Sequence, residues 1–163
     1  RKFLVKKGDA FKRAAFSSSH IKQGYIPCDN ATVRIRIRDD KAYLTIKGKP
    51  FVGLLTRYEF EKEITRDEAE NLMRLCSGGV IDKRRYLVKC GDHTFEVDEF
   101  YGDNEGLVLA EVELKSEWES YEKPDFIGIE VTGDHRFYNK QMLRNPFSLW
   151  RDTIPEEYRR LRL

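Results

Sequence analysis

The chain has 163 residues, 40% of them hydrophobic and 12% aromatic, which suits one folded domain with a real core. Charged residues make up 36%, against a usual share of about a quarter. Yet 30 basic residues nearly balance 28 acidic ones, so net charge does not announce a nucleic-acid binder, and the order of the charges along the chain matters more.

In chain order, eight segments carry period-two alternation or strand-rich composition: 2–6, 20–26, 32–38, 42–47, 56–64, 80–89, 94–100 and 107–115. Turn signals at Asp39-Asp40, Gly48 to Gly53, Cys90-Gly91-Asp92 and Gly102 to Gly106 separate several of them. Thr65-Arg66-Asp67-Glu68 reads as a capping box opening a helix through about Cys76, closed by Gly78-Gly79. After Lys115 the texture changes. Short helices are expected at 116–121 and 137–144, and a last one starting at Thr153-Ile154-Pro155-Glu156. The expected fold is mainly β (α+β), a single domain over 1–163, with strands to about 115 and a helical region from about 116.

Cys28, Cys76 and Cys90 are odd in number, widely spaced and without a CxxC pair, which argues for a reducing compartment, the cytoplasm. No apolar run reaches the length of a membrane span and no signal-peptide pattern opens the chain. His20, His93 and His135 lack metal-ligand spacing and read as structural or surface residues.

The polar faces of the strands are distinctive. Arg34, Arg36 and Arg38 alternate with Val33, Ile35 and Ile37; Lys47 shares a face with Thr45; Lys83 pairs with Arg85. Arg57, Glu59, Glu61 and Glu63 fall on one face, Glu96 and Asp98 on another, and Glu111 and Glu113 on a third. Any one of these faces, taken alone, reads as the wet side of a one-sided sheet. Collectively, basic residues gather on some strands and acidic ones on others. If the sheet closed into a barrel, such faces would line its interior, where each charge needs a partner or water. Arginine and lysine bind phosphate oxygens, and carboxylates at i, i+2 on a strand point the same way and can share an oxygen-seeking dication. A polyanion with a divalent cation satisfies both halves.

In order, Arg1-Lys2-Phe3-Leu4-Val5, Gln23-Gly24-Tyr25, Arg34-Ile35-Arg36, Leu44-Thr45-Ile46-Lys47, Arg57-Tyr58-Glu59-Phe60-Glu61, Asp82-Lys83-Arg84-Arg85-Tyr86, Phe95-Glu96-Val97-Asp98 and Glu111-Val112-Glu113 resemble the CYTH family, also called the triphosphate tunnel metalloenzymes. The resemblance runs from Arg1 to about Asn139 and is most like the short bacterial inorganic triphosphatases. It implies an eight-stranded antiparallel closed β-barrel forming a tunnel, with peripheral and C-terminal helices. It implies too that two glutamates of an ExExK signature stand just before Arg1, with Arg1 and Lys2 in its last two positions. Resemblance and strand parity together assign Lys2, Arg34, Arg36, Lys47, Arg57, Lys83 and Arg85 to a triphosphate. Glu111 and Glu113 are assigned to Mg²⁺ or Mn²⁺, with Asp98, Glu59, Glu61 and Glu96 behind them. Glu59 and Glu61 have a second reading, pairing with neighbouring arginines. Tyr25 and Lys83 are candidates for orienting the attacking water or the terminal phosphate, although Tyr25 also suits a wall aromatic.

The leading expectation is metal-dependent hydrolysis of inorganic tripolyphosphate to pyrophosphate and phosphate. A class IV adenylate cyclase acting on ATP, a thiamine triphosphatase, and a non-catalytic binder of triphosphate, polyphosphate or nucleotide are the alternatives. No RNP-type aromatic signature supports a nucleic-acid partner, no membrane partner is expected, and a homodimer stays open.

Overall fold

The computed structural model describes residues 1–49 and 58–160. The chain packs as two compact units, His20–Asp82 and the combination of Arg1–Ser19 with Lys83–Leu163.

The 20–82 unit is an antiparallel meander of β2 (Ser17–Ile26, entering the unit at His20), β3 (Ala31–Arg38), β4 (Lys41–Gly48) and β5 (Glu59–Ile64). A two-residue turn, Asp39-Asp40, joins β3 to β4 and pairs Arg38 with Lys41. Asp39 sits at φ 54°, a left-handed conformation that aspartate tolerates in tight hairpins. That turn sets the register Arg34↔Thr45 and Arg36↔Tyr43, while β2 brings Tyr25 opposite Arg34 and Gln23 opposite Arg36. Because side chains alternate, every charged residue of β3 shares a face with Gln23, Tyr25, Thr45 and Lys47.

The other face carries Ile35, Ile37 and Ala42, covered by Ala69, Leu72 and Met73 of α2 (Arg66–Met73). The helix opens with the expected capping box: Glu68 N–H donates to Thr65 Oγ1 at 3.1 Å, and Thr65 N–H to Glu68 Oε1 at 2.9 Å. Close approach of the segment after α2 requires a glycine at position 24, where a Cβ would lie 2.8 Å from Cys76 Sγ.

The second unit holds β1 (Lys2–Val5), β6 (Ile81–Cys90, from Lys83), β7 (His93–Phe100), β8 (Val108–Glu111) and β9 (Ile127–Glu130), hydrogen-bonded in the order β6–β7–β8–β1–β9. Phe3, Val5, Val88, Phe95, Val97, Val108, Ala110 and Ile127 share one face. Phe11, from α1 (Ala10–Ala14), packs among them and meets Tyr86 edge-on at 5.3 Å. The opposite face presents Lys2, Lys83, Arg85, Glu96, Asp98 and Glu111.

The mainly antiparallel β architecture is as expected, and all eight anticipated strands form, with 56 and 57 of the fifth lying outside the described residues. The closed eight-stranded ring is corrected. There are nine strands among the described residues, and β5 and β9 each have a single hydrogen-bonded neighbour, so the ladders stay open. β9 and α1 were not anticipated, being too short for a periodic signal. The helix expected at 116–121 is absent, and the segment holds only a turn in which Glu119 N–H donates to the Ser116 carbonyl at 3.2 Å. The last helix shortens to a 3₁₀ turn at Glu156–Tyr158, and the 137–144 helix to α3 (Asn139–Arg144). No described helix is long and apolar enough to cross a membrane.

Candidate active site

On the 20–82 unit the charged face forms cross-strand rows. Tyr25, Arg34, Thr45 and Glu61 make one; Gln23, Arg36, Tyr43 and Glu63 the next; Thr32, Lys47 and Glu59 a third. Arg36 donates from Nε and Nη2 to Gln23 Oε1 at 3.0 and 2.8 Å. Arg34 reaches Thr45 Oγ1 at 3.4 Å and Glu61 at 4.0 Å, and its buried Nε has no hydrogen-bond partner among the described residues. A buried guanidinium N–H without an acceptor is costly, and an anion's oxygen would satisfy it. Lys47 approaches Glu59 at 3.9 Å. Burial pushes the Tyr25 hydroxyl pKa up, against the pull of Arg34 and Arg36, so at neutral pH it is a protonated phenol. Arg38 is exposed and packs on the Tyr43 ring. Arg57 lies outside the described residues.

The second unit presents a different chemistry. Asp98, 7% exposed, accepts two hydrogen bonds from Arg85 at 2.8 and 3.0 Å and meets Lys83 Nζ at 2.9 Å. Burial would raise its pKa, but the two cations outweigh burial and hold the carboxyl well below the usual carboxylate range. Arg85 Nη1 also meets Glu96 at 2.6 Å. Lys83, wholly buried, donates to Asn139 Oδ1 at 3.1 Å. Lys2 donates to the Phe137 carbonyl at 3.1 Å and lies over the Tyr138 ring. Burial lowers the Lys2 pKa, opposed by Glu111 and Asp98.

Six carboxylates were assigned to metal, and four are engaged by cations: Asp98 and Glu96 by Arg85, Glu61 by Arg34, and Glu59 by Lys47. Both Asp98 oxygens accept from Arg85, and Oδ2 also meets Lys83 Nζ. Glu111 and Glu113 are exposed and make no salt bridge among the described residues, and Glu96 is the direct cross-strand partner of Glu111. Glu111 and Glu113 border a cleft of about 550 Å³ with Arg1, Glu117, Glu130 and Thr132. Among the described residues no three His, Cys, Asp or Glu side chains converge on one point. The donor set still fits Mg²⁺ or Mn²⁺, hard cations that are commonly held by one or two carboxylates plus the phosphate oxygens of a substrate.

Gln23 and Thr45 share the charged face of the 20–82 unit, and strand parity with Tyr25 and Lys47 is the signal that marks them. Asn139 had no such signal, since it reaches Lys83 from a helix start 56 residues away. His20 and His93 pair with Asp82 and Glu119, and Arg136 is held by Asp134.

Residues 1–141 match the CYTH domain. An inorganic triphosphatase of Acetivibrio thermocellus is 45% identical over 154 residues, covering 93% of this chain and 96% of its own. One from Nitrosomonas europaea is 34% identical over 147 residues, covering 87% and 93%. The crystal structure of an inorganic triphosphatase aligns at a TM-score of 0.68 and 31% identity, over 88% of this chain and 94% of the other. A putative adenylyl cyclase from Hippeastrum shares the fold at 0.53 and 15%. With alternating basic and acidic faces at the family's motifs and a match across most of its length, the chain belongs to the CYTH domain family, whose membership implies dependence on a divalent metal.

Proposed function

We propose that this protein hydrolyses inorganic tripolyphosphate to pyrophosphate and phosphate. The observation that carries the reading is the group of donors Tyr25, Arg34, Arg36 and Lys47 on one sheet face, with the Arg34 Nε buried and lacking an acceptor among the described residues. Relatives named inorganic triphosphatase, at 45% and 34% identity, support it.

In this reading Arg34 and Arg36 hold phosphate oxygens through charge-assisted hydrogen bonds, and Lys47 adds a point charge. Arg57 joins them by resemblance. By resemblance, Lys2, Lys83 and Arg85 of the second unit are also assigned to the triphosphate, and Asp98 is the counter-ion that meets Lys83 and Arg85. The Tyr25 phenol, protonated at neutral pH, orients the attacking water or the terminal phosphate as a donor and not as a base. Glu111, with Glu113 and Glu96, would hold Mg²⁺ or Mn²⁺, which when bound neutralises charge on the phosphate oxygens. Glu59 and Glu61 act as counter-ions to Lys47 and Arg34. The match over 1–141 runs through both compact units, which supports reading the chain as one functional domain. Three free cysteines support a reducing, cytoplasmic setting.

Incubation with Mg²⁺ or Mn²⁺ and tripolyphosphate, beside ATP and thiamine triphosphate, tests the reading. Release of phosphate fastest from tripolyphosphate is the expected result. Cyclic AMP from ATP with no phosphate release, or tight binding without turnover, would overturn it.

A further inference from the structure

Gln23 is 1% exposed, yet both ends of its amide are engaged. Its Oε1 lies 3.0 and 2.8 Å from Arg36 Nε and Nη2, and its Nε2 lies 2.9 Å from Tyr25 Oη. Amide oxygen and nitrogen are alike in shape, but here chemistry decides between them. A guanidinium has no acceptor, so the end facing Arg36 is the oxygen. The end facing Tyr25 is then the nitrogen, which only donates. Tyr25 Oη therefore accepts on that side, and its proton is directed away from Gln23.

We propose that Gln23 is a positioning residue that clamps the Arg36 fork and sets the direction of the Tyr25 hydroxyl proton, so that both present donors to the phosphate oxygens of a triphosphate. The inference rests on the phosphate-binding reading of this face. It explains why an amide stands there. A carboxylate could accept from Arg36 but could not donate to Tyr25, and the hydroxyl proton would turn inward to meet it. Leucine fills similar space and serves neither neighbour.

The two contacts separate with Gln23→Leu, Gln23→Glu, Tyr25→Phe and the double variant Gln23→Glu/Tyr25→Phe. Steady-state hydrolysis of tripolyphosphate and calorimetric binding of tripolyphosphate are measured on each, with thermal melts alongside. Gln23→Leu should raise KM and lower kcat, each about tenfold, the scale of one hydrogen bond involving a charged group. Gln23→Glu keeps the Arg36 clamp, so KM should recover to near wild type while kcat stays low. In the Tyr25→Phe background the Gln23→Glu step should leave kcat unchanged. A kcat loss undiminished in that background, or a Gln23→Leu variant with a lower Tm but unaltered KM and kcat, would overturn the inference. Wild type that binds tripolyphosphate but does not hydrolyse it overturns the proposed activity instead, while a tenfold weaker Kd for Gln23→Leu would still support the positioning role.

Discussion

Replacing Asp98 with asparagine separates its structural role from the metal-ligand role that its position on the strand face suggested. The carboxylate is 7% exposed and neutralises two cations, Lys83 at 2.9 Å and Arg85 at 2.8 Å. Asparagine keeps the shape and removes the charge that Lys83, which is fully buried, and Arg85 both meet. Breaking a buried pair in this way costs about 3–5 kcal/mol. For a chain of this size that is a fall in Tm of roughly 6–20 °C. The cost has a defined pH dependence. Asp98 is held below its ordinary pKa, so its contribution is fully present above the unfolded value of about 3.9 and is lost as pH falls through the lower folded value. Urea unfolding of wild type and variant in EDTA, from pH 8 downward, should show a constant gap to about pH 5 that narrows only below about pH 4. A gap under about 1 kcal/mol, or one that appears only when Mg²⁺ is added, would refute the structural assignment and return Asp98 to the metal.

Other outcomes follow from the same geometry. Arg36→Ala should raise KM for tripolyphosphate by about 10- to 100-fold, while Arg38→Ala, at an exposed residue packed on Tyr43, should change it less than about twofold; steady-state kinetics on the two variants compares them directly. Glu111→Gln should raise the Mg²⁺ concentration needed for half-maximal activity about tenfold or more with little change in Tm, read from metal titrations and melts. Gly24→Ala places a methyl 2.8 Å from Cys76 Sγ and should destabilise the protein by about 1–3 kcal/mol in urea unfolding.

Much of the site was legible because a strand alternates with period two. Spacing alone puts Arg34 with Arg36 on one face of their strand and Lys47 with Thr45 on one face of theirs, and the register of the strands brings both pairs and Tyr25 onto one side of the sheet. Parity, however, says which side a residue faces and not which residue it meets. Parity puts Glu96 and Asp98 on one face of their strand and Glu111 and Glu113 on one face of theirs, and names no partner for any of them. The register of β6 against β7 puts Asp98 opposite Arg85, which donates to both its oxygens, whereas β8 sets Glu111 opposite Glu96 and leaves it without a salt bridge among the described residues. Gln23 illustrates the same limit. Its face could be read from the strand, but its clamp on Arg36 exists only because β2 and β3 pair with Gln23 opposite Arg36.

The amino-acid sequence by itself determined the strands, their charged and apolar faces, the capping box at Thr65 and the family to which the chain belongs. All of these depend on residues near one another in the chain, or on the order of motifs along it. Only tertiary structure decided the nine open strands among the described residues in place of a closed eight, the cation partners of the carboxylates, and the hold of Phe137 and Asn139 on Lys2 and Lys83. Those features join groups up to 135 residues apart, and such contacts follow from the packing of the whole chain and not from any local pattern.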